Sequence, residues 1–176
     1  IQADVAVPPL TRQWTWLAVM SLVIAGLLSL AVVVGRLPWV SPFISDPLFF
    51  KRCLVVHVDL ALLVWFYSFI AGLAGLRAPQ HGQATGRVAW WAAALGVVGL
   101  LGGAVMPGAA PVLSNYIPVI DHPFFMGGLG LFFAGILLAL IQVVLAPPSH
   151  RAGGLPEDAA IGLLQHVPDQ RVALEG

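Results

Sequence analysis

Four apolar stretches, residues 14–34, 53–76, 88–106 and 124–146, decide what this chain can fold into. Each is long enough to cross a hydrocarbon layer ~30 Å thick, which takes about 20 residues of helix. Inside lipid the backbone has no water to bond, so a spanning segment of this length closes its hydrogen bonds internally as a helix. Proline and glycine punctuate the gaps: Pro38 after the first stretch, Pro79 after the second, Pro107 and Gly108 after the third, Pro147 and Pro148 after the fourth. Proline stops a helix because it lacks an N–H and clashes with the preceding turn. The expected fold class is therefore all-α, an integral membrane bundle of four transmembrane helices over residues 1–146, followed by a polar and amphipathic tail over 147–176.

Composition agrees, with 59% hydrophobic and 9% charged residues against roughly 25% charged in a soluble domain. A formal net charge of zero leaves no basic field of the kind nucleic acid requires. The single cysteine, Cys53, excludes an intrachain disulfide, and alone it cannot build a zinc or iron–sulfur site. The first apolar run is too long for a signal-peptide core and is expected to be a true span.

Trp14, Trp16, Trp39, Trp90 and Trp91 fall at or near span ends, where an aromatic belt would place them. Arg12, Arg77, Arg87, Arg151 and Arg171 lie on one side of the expected topology, and Arg36, Lys51 and Arg52 on the other. That bias puts both termini in the cytoplasm, in a bacterial inner membrane. Gly96, Gly99, Gly102 and Gly103 in the third span and Gly127, Gly128, Gly130 and Gly135 in the fourth mark close helix packing, with Gly99 and Gly103 in small-xxx-small register. Residues 107–123 read as an ordered lid. In the tail, Pro156, Glu157 and Asp158 resemble a helix start, and Ala159, Ile161, Leu163, Leu164 and Val167 form a short amphipathic segment expected at the membrane surface.

His57 and Asp59 stand inside the second apolar run, which carries no other formal charge from Cys53 to Leu76. Ionisable groups are expensive in hydrocarbon and mark function there. A neutral imidazole in a dry bundle suits an axial haem ligand, whose second ring nitrogen donates to a carbonyl or carboxylate that fixes the ring. Asp59 is two residues on and points about 200° away around a helix, so it serves another group; Arg52, Lys51 or Arg36 near the same boundary are its candidate charge partners. His122, between Asp121 and Pro123 just ahead of the fourth span, is the second candidate haem ligand. Phosphate-loop, His-Glu-x-x-His and Gly-x-Ser-x-Gly patterns are missing from the sequence.

The run Phe50-Lys51-Arg52-Cys53-Leu54-Val55-Val56-His57-Val58-Asp59-Leu60, with Trp65-Phe66 and more loosely the run from Tyr116 to Pro123, resembles the N-terminal part of haem–copper oxidase subunit I, in the branch that includes nitric oxide reductase large subunits. The resemblance implies that His57 is an axial ligand of a low-spin haem b near the outer face. It also implies that the second ligand, the high-spin haem and the copper-binding histidines lie on helices outside this chain. Copper is then not expected here, and the chain serves electron transfer within a respiratory oxidoreductase complex, inactive without its partner subunits or remaining helices. Two other readings stand beside it: a self-contained four-helix cytochrome b anchor with haem between His57 and His122, and a haem-free structural subunit of a membrane complex.

Overall fold

The computed structural model describes residues 7–44, 46–76, 83–113 and 117–145; the expected amphipathic tail segment lies outside them. It is an all-α bundle with four helices long and apolar enough to cross a membrane: Pro9–Val34, Phe49–Gly75, Gln83–Val105 and Pro123–Val144. The first is α1, with Pro9 at its first position, where a missing N–H costs nothing. The second is composite, with α2 (Phe49–Asp59), a π-helical segment (Leu60–Val64) and α3 (Trp65–Gly75). The third is α4 (Gln83–Val105) and the fourth α5 (Pro123–Val144).

The second span begins at Phe49, ahead of the apolar boundary at Cys53, because Arg52 is carried inside the fold and not left at the water surface. The lid is a small antiparallel pair, β1 (Ala110–Val112) and β2 (Val119–Asp121), registering Ala110 with Asp121 and Val112 with Val119. Gly108, at φ +78°, turns the chain out of α4 toward it in a backbone conformation that side chains disfavour.

The principal seam is between α4 and α5, and glycine makes it. A methyl group on Gly96 would lie 2.5 Å from the Phe132 amide nitrogen, one on Gly99 2.7 Å from the Gly128 Cα, and one on Gly135 2.5 Å from the Ala89 carbonyl. The two backbones therefore touch directly, the arrangement that lets helices associate where hydrophobicity gives no drive. The core continues through Leu100, Phe125, Phe132 and Ile120 into Val55, Val56, Leu60 and Val64 of the second span. That span packs on α1 and α4 at its α2 end, and on α1 and α5 along α3.

Candidate functional site

α2 is amphipathic in an unusual sense: its inner face carries charge. Arg52 is 1% exposed and Asp59 0%. The two are seven residues apart, two helical turns or about 10 Å along one face, yet they do not meet. The Arg52 guanidinium reaches back into the preceding loop and pairs with Asp46. Its Nε donates to the Ala104 carbonyl at 3.1 Å and its Nη1 to the Ala109 carbonyl at 3.3 Å. These two carbonyls sit at the end of α4 and in the turn after it, where helical partners run out. One side chain thus ties the α1–α2 loop, α2 and the entry to the hairpin together. Asp46 also accepts from the Leu48 N–H at 2.9 Å, and the Arg52 guanidinium followed by this amide holds its carboxyl below the usual carboxylate range.

Asp59 is left with both carboxylate oxygens buried and without a hydrogen-bond partner among the described residues. The expected pairing with Arg52, Lys51 or Arg36 does not form. Arg52 is taken by Asp46, whereas Lys51 in the first turn of α2 and Arg36 past the end of α1 are exposed. The helix changes to π geometry at the residue after Asp59. Such bulges break the regular i to i+4 ladder and recur at functional positions.

His57 occupies the rim between the packed interior and the outward face of α2. Its neighbours a turn away, Leu54 and Ala61, are exposed and half-buried. The ring Nδ1 lies 2.7 Å from the Ala25 carbonyl oxygen on α1. A carbonyl only accepts, so Nδ1 carries the proton and donates it. Ala25 precedes the end of α1 by nine residues and His57 follows the start of α2 by eight; at 1.5 Å per residue both lie about 12–14 Å from that end of the bundle. With the proton on Nδ1, the lone pair is on Nε2, which has no partner among the described residues and is not among the sealed polar atoms.

His122 has the opposite arrangement. It caps α5, its Nδ1 accepting from the Phe124 N–H at 3.2 Å. In the neutral ring Nε2 then holds the hydrogen and Nδ1 is spent on the cap, leaving no lone pair for a metal. α2 packs on α1, α4 and the hairpin and α5 on α3, α4 and β2, so the structure does not bring the two histidines together through facing helices. Among the described residues no three of His, Cys, Asp and Glu gather into a metal-binding group.

The Ala25 carbonyl and the π segment carry no signature in the sequence: the one is a backbone atom on another span, the other a change in winding with ordinary residues. Asp46 was legible as an acid six residues ahead of Arg52, but apolar periodicity alone gives no reason to join a loop carboxylate to a span.

No protein-family model matches the chain, and no solved structure matches it. The chain is similar to an uncharacterized protein of Aquifex aeolicus (strain VF5), 33% identical over 128 residues that cover 71% of this chain and 31% of the relative. It is also similar to an uncharacterized protein of Rickettsia prowazekii (strain Madrid E), 28% identical over 158 residues, 77% of this chain and 31% of the relative. The chain thus spans about a third of the length of the curated relatives it matches.

Proposed function

We propose that this chain is a haem-binding membrane part of a respiratory oxidoreductase of the haem–copper oxidase type, with the His57 imidazole as one axial ligand of a low-spin haem b. One observation carries the reading: the Nδ1–H of His57 is fixed on the Ala25 carbonyl, the backing that ligating histidines receive, which sets the tautomer and raises the basicity of the other nitrogen. An imidazole around which no group of three His, Cys, Asp or Glu gathers among the described residues suits a metal whose remaining coordination comes from a macrocycle. The haem supplies one-electron redox chemistry when bound. The protein orients the ring, and the apolar surface of Leu54, Val58 and Ala61 around it keeps water away.

Because His57 lies on the rim, a haem held there needs cover and a second axial ligand from helices outside this chain. The relatives' greater length is in keeping with that dependence. On this reading the chain is not active alone, both termini are cytoplasmic in a bacterial inner membrane, and His57 is on the extracytoplasmic side. The self-contained anchor with His57 and His122 finds less support, since His122 is committed to its cap.

The test is a pyridine haemochrome assay and optical spectrum of the chain purified from its native complex. His57→Ala is expected to abolish the low-spin haem signal, His122→Ala to leave it. Haem retained in His57→Ala, or absent from the wild-type complex, overturns the reading in favour of a haem-free structural subunit. Loss with both variants returns the bis-histidine anchor.

A further inference from the structure

The connection between α1 and α2 has a composition that a solvated loop does not call for. Residues 35–44 read Gly-Arg-Leu-Pro-Trp-Val-Ser-Pro-Phe-Ile, with Arg36 as the one charge. Phe43 is 86% and Trp39 69% exposed, with Leu37 exposed beside them. Exposed apolar clusters of this kind on an ordered segment mark a surface that something else covers.

The backbone gives an independent indication. Gly35 donates to Ala31, Arg36 to Val33, Leu37 to Val34, Val40 and Ser41 to Leu37, Phe43 to Val40 and Ile44 to Ser41. Pro38 and Pro42 have no N–H to satisfy. Of the ten residues, only Trp39 keeps an N–H outside this internal set. A segment whose donors are satisfied internally enters a low-dielectric layer without the penalty an open loop incurs.

Its place in the fold and its charge select the occupant. The segment leaves one spanning helix at Val34 and the next begins at Phe49, so it lies where spans meet the bilayer boundary. Asp46, the carboxylate in this connection, is engaged by Arg52, while Arg36 has no ion pair among the described residues. The free charge is positive and belongs to the same short connection as the two exposed aromatic rings. An unpaired arginine and exposed aromatic side chains in one short connection between spans are the groups that suit the boundary where lipid phosphate meets acyl chain.

We propose that residues 35–44 form an interfacial anchor, lying in the headgroup–acyl boundary with Trp39 and Phe43 inserted in the leaflet and Arg36 at lipid phosphate. This turn would fix the depth and tilt of α1, the helix with the smallest share of its residues inside the bundle.

The experiment places a nitroxide on Phe43→Cys, in full-length chain reconstituted in phosphatidylcholine–phosphatidylglycerol nanodiscs, with Cys53→Ser to leave one label site. Collision with oxygen is expected to exceed collision with a water-soluble nickel chelate. The reverse order places the segment in water, and low accessibility to both places it under protein; either overturns the proposal. Because Cys53→Ser alters a buried residue, a second measurement uses the native cysteine. Brominated-lipid quenching is compared in wild type and Trp39→Phe, and the difference isolates Trp39. Strong quenching of that component is expected, and its absence overturns the proposal.

Discussion

The α4–α5 seam and the α1–α2 seam join neighbouring helices in the same bundle by opposite means. Along α4–α5, Gly96, Gly99, Gly128 and Gly135 let backbone meet backbone, so close fit of the two helices joins the pair. Along α1–α2, a histidine side chain donates to a carbonyl on the facing helix, with a buried arginine and a buried aspartate on the adjoining face of α2. The polar seam carries groups that lipid solvates poorly, and one of them, Asp59, has no described partner to offset its burial. Close backbone approach holds one seam and polar side chains bridge the other, and substitutions on each side separate the two contributions.

The largest effect is expected at Arg52. Arg52→Leu leaves Asp46 at the surface without its partner and strips the buried Ala104 and Ala109 carbonyls of their donor, at about 1–3 kcal/mol for each buried acceptor left unsatisfied. Unfolding in mixed micelles by increasing SDS measures it, and a shift under ~1 kcal/mol would show that the polar seam is not stabilised in this way. The same pair sets an acid limb. Arg52 lowers the folded-state carboxyl of Asp46 relative to the unfolded chain. Its stabilisation is therefore fully present above the ordinary carboxylate range and is lost as pH falls through the lowered value. Asp46→Asn should abolish that pH dependence and also lower stability at neutral pH, because it leaves the buried Arg52 guanidinium without its counter-charge.

Next in size is Gly96→Val. With the Phe132 amide 2.5 Å and the Gly128 carbonyl 2.7 Å from the position a Cβ would take, the helices must separate, at about 3 kcal/mol, the upper part of the overpacking range. The readout is again SDS-driven unfolding, followed by far-UV circular dichroism. A variant as stable as wild type would mean that α4 and α5 are held by something other than close approach.

How much of this was readable in advance differs between the seams. Four spans followed from hydropathy, and the glycine register from Gly99 and Gly103, since both depend on local spacing. Which glycines face inward did not: Gly127 and Gly128 are adjacent, and only the second meets a neighbour. Arg52 invited pairing with Asp59 because both lie near the same end of the span, but the guanidinium reaches back to Asp46 in the preceding loop, whose carboxylate is closer to water. His57 was singled out by its cost in hydrocarbon, whereas its acceptor is a carbonyl on another span, a tertiary fact that no periodicity encodes.

The smallest effect sharpens the comparison most. Gly127 and Gly130 face outward, with nothing within 4 Å of an added methyl. Alanine at either should stabilise the isolated bundle by a few tenths to about 1 kcal/mol, the helix-propensity difference, while Gly128→Ala, against the α4 backbone 2.8 Å away, should destabilise it. Adjacent glycines would then change stability in opposite directions. If Gly127→Ala gains stability in detergent but loses assembly of the proposed complex, the outward face of α5 is itself a seam. The glycine rule that joins α4 to α5 would then extend to a helix beyond this chain.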